Sequence, residues 1–292
     1  MGVRFSAARL TPVFFRLRGN GADMYLSLCP RESASISMRG ERIPDTMPAM
    51  QPQRALSALG KAKPASGPLG AFLDQAVLEY RDKFYEKIFR KQVNKPWMKY
   101  REIHILEELL RALAPLRALE WGVGFGTSHF AGLLPPGGEW ISIEHDSAWV
   151  DRIRPNLPGN VNVYAVPPDN PAWSSESRDG TYGDFRTYVD APARFGEYDF
   201  ILVDGRARAA CLHRARNLLA EGGVVVLHDA NRDFLREPWD LYPCQTFFRD
   251  YRLYAGGLWI GSADRETDSL VDIRKHRNVW RIYNSLGRRF RL

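Results

Sequence analysis

Long hydrophobic runs are absent from this 292-residue sequence, and no stretch approaches the roughly 18 consecutive apolar residues of a membrane-spanning helix. The first residues lack the continuous apolar core of a secretory signal. Only three cysteines occur, Cys29, Cys211 and Cys244, and their spacing fits neither a metal site nor a disulfide framework. We therefore expect no membrane span and a cytoplasmic protein in a reducing compartment.

Acidic residues are scarce at both ends of the chain. Residues 1–65 carry 10 Lys and Arg against 4 Asp and Glu, and residues 273–292 carry 7 against none. The segment 66–272 has 24 against 30, so it is mildly acidic although the whole chain has a formal net charge of +7. A nucleic-acid enzyme more often has a basic face on its folded body, which argues against a nucleic-acid substrate.

Composition and periodicity divide the chain into four segments. Residues 1–66, rich in Arg, Ser, Pro and Gly, are expected to form a basic leader that is partly disordered. Residues 67–114 have apolar positions at helical spacing, which predicts helices that pack on the main domain. Residues 115–272 form that main domain, and residues 273–292 form a basic C-terminal tail.

Strand-like and helix-like segments alternate through the main domain, which is typical of a parallel sheet with helices on both faces. The predicted strands are Leu116–Trp121, Trp140–Glu144, Val161–Val166, Tyr198–Val203, Val224–Leu227, Tyr251–Tyr254 and Leu258–Gly261. The last two flank Ala255-Gly256-Gly257, a spacing that suits a hairpin. The predicted fold class is α/β, a Rossmann-like, doubly wound, seven-stranded, mostly parallel sheet with a C-terminal antiparallel hairpin.

A glycine-rich turn follows the first predicted strand of this sheet. Its residues are Glu120, Gly122, Gly124 and Gly126, with Thr127 and Ser128 at the predicted start of a helix. Glycine admits positive φ and lets a ligand approach bare main chain, so the pattern is typical of a nucleotide-cofactor cradle, although an ordinary βα turn also favours glycine. The dinucleotide fingerprint G-x-G-x-x-G would need glycine at position 127, which is Thr.

Polar residues also follow the later strands, at the sheet edge where ligands bind in doubly wound folds. Glu144 ends the second strand and suits two hydrogen bonds to ribose hydroxyls. His145, next to it, either flanks an adenine or lies on the surface. Asp204 ends the fourth strand, and His228 with Asp229 ends the fifth.

These motifs together resemble class I S-adenosylmethionine (SAM)-dependent methyltransferases, within a bacterial subgroup of mostly unassigned substrate. The resemblance covers roughly residues 97–262 and depends on Leu119-Glu-Trp-Gly122, Ile143-Glu-His-Asp146, Asp204-Gly-Arg-x-Arg208 and Leu227-His-Asp229. It implies SAM as cofactor. The implied cofactor-binding residues are Glu120, Gly122, Gly124, Gly126, Thr127, Ser128, Glu144, His145 and Asp204.

Two chemistries remain open for the catalytic residues Asp204, Arg206, His228 and Asp229. In the first, Asp204, Asp229 and Asn231 bind Mg²⁺, which lowers the pKa of a substrate hydroxyl. In the second, His228 is the general base and Asp229 or Asp204 orients it. Arg206 opposes the dipole of the helix that it opens, so it is expected to pair with Asp204 or to hold an acidic substrate group.

The function that follows is methyl transfer from SAM to an oxygen of a small polar or sugar-like acceptor. One alternative is an NAD(P)-dependent oxidoreductase on the same kind of sheet, which the Thr at position 127 disfavours. Another is a non-catalytic module that binds a nucleotide-like ligand or a partner protein. An RNA methyltransferase is a further alternative, weakened by the acidic body. The sequence predicts no oligomeric state.

Overall fold

The computed structural model describes residues 67–89, 95–174 and 179–290, together with three strands nearer the N-terminus. For those strands and for residues 287–290 it describes the backbone alone. The chain divides into two units, Met1–Lys63 and Pro64–Leu292. In the described residues, no helix is both long and apolar enough to cross a membrane.

The first unit contains a small antiparallel sheet. Its strands are β1 (Val13–Gly19), β2 (Ala22–Leu28) and β3 (Ser35–Ser37), in the order β1-β2-β3. These strands were not predicted from the sequence. The expected disorder in part of residues 1–66 concerns positions outside the described residues, so it stays a prediction.

The second unit begins with two helices and continues as alternating strands and helices. Its helices are α1 (Pro68–Phe89), α2 (Tyr100–Leu113), α3 (Phe125–Ala131), α4 (Ser147–Ile153), α5 (Arg186–Asp190), α6 (Arg208–Ala215) and α7 (Ile273–Phe290). Its strands are β4 (Arg117–Trp121), β5 (Glu139–Glu144), β6 (Val161–Ala165), β7 (Tyr198–Val203), β8 (Leu219–His228), β9 (Cys244–Phe248) and β10 (Leu258–Ser262).

These strands form one seven-stranded sheet in the order β6-β5-β4-β7-β8-β10-β9. Neighbours from β6 to β8 are parallel, whereas β10 is antiparallel to both β8 and β9. The strand order reverses between β4 and β7, so the carboxyl ends of these two strands flank the topological switch point where ligands bind. The predicted doubly wound, mostly parallel fold class is confirmed.

Apolar side chains on both faces of the sheet build two core clusters. On one face, Leu119 and Ile201 pack with Leu212 of α6, whereas on the other Phe200 and Val226 pack with α2. Because successive strand residues point to opposite faces, nearly continuous apolar strands are what a sheet covered on both sides requires.

The strand predicted at Tyr251–Tyr254 is wrong. The outer strand of the hairpin is β9, residues 244–248, and residues 249–257 form the loop that joins it to β10. Asn231 explains why this segment is a loop, because its side-chain amide donates to the carbonyls of Asp250 and Ala255, which therefore do not pair with a strand.

The basic C-terminal segment is the helix α7, which the sequence analysis did not predict. Val279 and Tyr283 are buried and pack against Phe72 and Ala76 of α1. The apolar residues of this segment occur at helical spacing between arginines. The segment is therefore an amphipathic helix, although its high charge suggests a solvated tail.

Candidate functional site

The glycine loop after β4 passes very close to the residues that follow β7. Gly122 has φ +117°, and a Cβ there would lie 3.3 Å from the main-chain carbonyl of Asp204. The Asp204 N–H donates to the carbonyl of Trp121 at 3.0 Å. Only glycine fits both the backbone angle and this contact, so Gly122 brings the ends of β4 and β7 together.

Gly124 differs, because its backbone is extended and no protein atom lies within 4 Å of the position that a Cβ would take. Packing within the protein therefore does not require glycine at 124. A side chain would project into open space beside bare main chain, which fits a position approached by a ligand. Gly126 lies within α3, where a Cβ would make ordinary contact with Phe130.

Glu120 lies beneath this loop and is buried. Its carboxyl accepts hydrogen bonds from the Thr127 hydroxyl at 2.6 Å, from Trp140 Nε1 at 3.0 Å and from the Ser142 hydroxyl at 3.2 Å. Burial raises the pKa of Glu120 to about 8, with Asp204 adding to the effect. This residue therefore holds a proton at neutral pH and supports the loop from inside the sheet.

Thr127 and Ser128 bind protein groups. Helix α3 begins at Phe125, two residues earlier than the sequence suggests, and the Thr127 hydroxyl accepts the N–H of Gly124 at 2.8 Å. Ser128 donates to the carbonyl of Asn156. Their predicted contact with a cofactor stays a prediction.

Glu144 connects the end of β5 to the glycine loop. One carboxylate oxygen accepts the N–H of Val123 at 3.1 Å, and the other accepts the N–H groups of His145 and Asp146. A carboxylate oxygen has more than one lone pair, so the oxygen facing Val123 keeps an acceptor direction for a ribose hydroxyl. The His145 ring packs against Trp173 and Phe185.

The centre of the site is His228, which lies between two carboxylates. Its Nδ1 is 2.8 Å from Asp204 Oδ1, and its Nε2 is 3.6 Å from Glu102 Oε2. Burial alone would lower the pKa of His228, but Asp204 and Glu102 outweigh it and raise the pKa well above its ordinary value. The two carboxylates therefore favour the protonated imidazolium, and a change that weakens their effect favours the neutral ring that a base requires.

Alternating charges continue on both sides of His228. In order, successive members within 4 Å are Asp179, Arg208, Asp204, His228, Glu102, Arg252, Asp250 and Arg101. We call this set the charge chain. It links the loop before α5, helix α6, the ends of β7 and β8, helix α2 and the loop after β9.

A cavity of about 270 Å³ opens beside the centre of the charge chain. Its lining includes His228, Asp229, Glu102 and Arg252, together with Glu79 of α1. It is the size of a small polar ligand rather than of a whole dinucleotide.

Glu102 is the functional candidate that the sequence analysis missed. It is 1% exposed, and its Oε1 has no hydrogen-bond partner among the described residues. Burial by itself raises the pKa of Glu102, but His228 and Arg101 outweigh it and lower the pKa, so the group is a carboxylate. In the sequence, Glu102 looks like an ordinary residue of the first turn of a helix. Its Oε2 does cap α2, by accepting the N–H of Lys99.

The residues predicted to bind Mg²⁺ do not fit a metal site. Asp229 has φ +59° and accepts from Arg232 and from the Gly256 N–H. Both ends of the Asn231 amide bind main chain, and the Arg208 guanidinium lies 3.6 Å from Asp204. Within the described residues, no three or more His, Cys, Asp or Glu side chains gather as metal ligands.

Of the two carboxylates expected to orient His228, one contacts it, and the expected role of Arg206 in holding an acidic substrate group stays a prediction. Asp204, not Asp229, contacts His228. Arg206 stacks over the Trp173 ring, whereas Arg208 reaches towards Asp204 and pairs with Asp179 at 2.9 Å. Asp179 explains how α6 can begin with an arginine, since it also accepts the N–H of Arg208 and so places an anion at that helix end.

Comparison with known proteins adds little to this geometry. No family model matches the chain, and no curated protein matches it. Among solved structures, the chain is similar to a putative O-methyltransferase from Klebsiella pneumoniae at 16% identity and a TM-score of 0.47, covering 73% of this chain and 96% of that one.

Two further structures are similar at the same low level. An O-methyltransferase from Bacillus cereus, in complex with SAH, has 16% identity, a TM-score of 0.46 and coverage of 62% of this chain and 96% of its own. An O-methyltransferase from Streptomyces achromogenes, in complex with SAM, has 17% identity and a TM-score of 0.44, and the match covers 65% of this chain and 99% of that one. Similarity this weak carries no argument about function, and the fold assignment depends on the strand order itself.

Proposed function

We propose that this chain is a class I SAM-dependent methyltransferase that methylates an oxygen of a small polar or sugar-like acceptor. The observation that carries the proposal is the juxtaposition at the switch point of the sheet. There the glycine loop, with open space at Gly124, lies beside the Asp204–His228–Glu102 part of the charge chain and its small cavity.

The residues present fit the cofactor. Glu144 would hold the ribose, the main chain at Gly122 to Gly124 would lie against the nucleoside, and Asp204 would face the sulfonium. When bound, SAM supplies an electrophilic methyl carbon, so the protein needs to orient the acceptor and take its proton. Mg²⁺ has no part in this proposal, because the donor set described above does not fit it.

His228 is the proposed proton acceptor, and it can act only when its imidazole is neutral. Its pKa is raised by Asp204 and Glu102, so it must lose a proton before it can act as a base. A cation beside Asp204 opposes the imidazolium and lowers its pKa. We therefore expect bound SAM to favour neutral His228, and turnover at saturating SAM to rise with pH.

Glu102 is the proposed hydrogen-bond acceptor for a second hydroxyl of the acceptor, adjacent to the hydroxyl whose proton His228 takes. Its Oε1 is buried, accepts no hydrogen bond from the described residues and lies 3.6 Å from the Arg252 guanidinium, so it retains acceptor capacity for a ligand in the cavity that Glu102 lines. Binding of that O–H there places the neighbouring hydroxyl next to His228. A sugar or another polyhydroxylated molecule supplies such a donor.

The test combines cofactor binding with acceptor screening of the full-length protein. We expect calorimetric titration to detect SAH and not NAD, and methyl incorporation from labelled SAM into hydroxylated acceptors to be unaffected by a chelator. Binding of NAD in place of SAH would support the oxidoreductase alternative. Binding of SAH without turnover on any acceptor would support the non-catalytic one.

Glu102→Gln separates the acceptor site from the cofactor site. At a pH where wild-type turnover no longer rises, we expect it to retain SAH affinity within about twofold and to lose turnover by about 10- to 100-fold, since a neutral amide binds the hydroxyl less strongly. Glu108→Gln is the matched control on the same helix, because Glu108 is half-buried and pairs with Lys275 and His276 outside the cavity. Equal turnover in both variants would refute the role of Glu102.

A further inference from the structure

One side of α1 exposes an apolar stripe that the proposed function does not use. Six large apolar side chains, each between 48% and 60% exposed, form it: Leu69, Leu73, Val77, Tyr80, Phe84 and Ile88. At 100° per residue they fall within an arc about 100° wide, which is the width of a helix face that packs against another element. We call these six residues the α1 stripe.

The opposite side of α1 is already packed within its own unit. Phe72 and Ala76 contact α7, and Glu79 accepts the N–H of Tyr100 at 2.9 Å. These contacts fix the rotation of the helix, so the stripe faces outward as a defined surface. Large exposed apolar patches of this kind mark interaction sites in soluble proteins.

The spacing of the stripe is the same in both directions along the helix. Successive members are separated by 4, 4, 3, 4 and 4 residues. In an antiparallel pair of two such helices, Leu69 faces Ile88 of the second copy, Leu73 faces Phe84, and Val77 faces Tyr80. Every apolar side chain then meets an apolar side chain, which is the self-complementarity that a two-fold interface requires.

We propose that the α1 stripe is the interface of a homodimer, in which α1 packs antiparallel against α1 of a second copy. The six half-exposed side chains offer roughly 550 Å² per copy and about 1,100 Å² in total, close to the lower limit of stable interfaces. We therefore expect a weak dimer whose population depends on protein concentration. Because Glu79 and Asp82 of α1 line the cavity, the dimer also supports one cavity wall.

The test begins with sedimentation equilibrium of the full-length protein from about 1 to 100 μM. We expect the mass to rise from 33.3 kDa to twice that value. Leu73→Glu and Phe84→Lys should each remain monomeric, because each places a charge in the apolar seam. Unchanged far-ultraviolet circular dichroism and SAH affinity would show that both variants are folded.

Mixing these two variants tests the register. In a mixed pair the new carboxylate at 73 faces the new ammonium at 84, while native Phe84 faces native Leu73, so the dimer should return. Leu73→Glu mixed with Ile88→Lys is the matched control, which should stay monomeric because position 88 faces position 69. Recovery in the control instead would refute this register.

Two other occupants of the stripe would also overturn the proposal. A full-length protein that is monomeric throughout, but dimerises when residues 1–63 are removed, would show that the first unit covers the stripe. Wild-type protein that stays monomeric and binds neutral phosphatidylcholine vesicles, with binding lost in Leu73→Glu, would show a lipid-facing surface.

Discussion

Glu120 is a buried acid whose protonation should control stability. Burial raises its pKa from 4.5 to about 8, so the folded chain keeps this proton to a higher pH than the unfolded chain does. The free energy of unfolding should therefore fall as pH rises from about 4.5 towards 8, by at most on the order of 4 kcal/mol from this group. Below pH 4.5 both states hold the proton and the effect vanishes.

Glu120→Gln tests this linkage, because an amide does not titrate in this range. We expect urea unfolding between pH 5 and pH 8.5 to show a smaller decrease in stability for the variant than for the wild type. Glu107→Gln is a control, since the pKa of Glu107 is lowered by its hydrogen bond to His129. A wild-type slope retained in Glu120→Gln would mean that another group is responsible.

At the scale of elements, the loop between β4 and α3 contains two glycines with different roles. Gly122→Ala places a residue with a β-carbon at a positive φ and brings that carbon close to the carbonyl of Asp204. We expect the free energy of unfolding to fall by about 2 kcal/mol. Gly124→Ala meets no protein atom, so stability should change by less than about 0.5 kcal/mol. SAH affinity should instead fall about tenfold or more, because the added methyl occupies the ligand's space.

Urea unfolding and calorimetric titration with SAH distinguish the two variants. If Gly124→Ala binds SAH as tightly as the wild type, no ligand passes close to that residue. If Gly122→Ala is as stable as the wild type, the approach of β4 to β7 does not depend on glycine.

The sequence predicted those elements whose bounds depend on neighbouring residues in the chain. The strand Tyr198–Val203 was predicted to the residue, because an apolar run ends abruptly at Asp204. The β9 strand was not, because the choice between residues 244–248 and 251–254 depends on Asn231, a distant side chain that binds the loop. Glu102 was missed for the same reason, since only the fold brings the start of α2 to the end of β8.

At the scale of the whole molecule, the charge chain places ionised groups in the interior. The side chains of Arg101 and Asp250 are 0% exposed, and the guanidinium also lies over the ring of Tyr283. Removing one member of a buried pair leaves an uncompensated charge, which typically costs about 3–5 kcal/mol. We therefore expect Asp250→Asn to destabilise the protein by about that amount in urea unfolding.

Two comparisons make that measurement specific. Asp233→Asn removes a carboxylate that is 84% exposed and pairs with Arg236, so its cost should stay below about 1 kcal/mol. The double variant Arg101→Met with Asp250→Leu removes both members of the fully buried pair and should recover part of the stability, since Arg252 loses Asp250 but keeps Glu102. A double variant as unstable as Asp250→Asn would show that packing, rather than the unpaired charge, causes the loss.

The contact between α1 and α7 has a consequence for how the protein is made. A ribosome synthesises α1 before any strand of the large sheet, but the residues that cover its inner face, Val279 and Tyr283, emerge after the last strand. During translation both long sides of α1 are therefore uncovered, one awaiting α7 and the other a second copy. Nascent chains should bind chaperones through this helix until synthesis of α7 is complete.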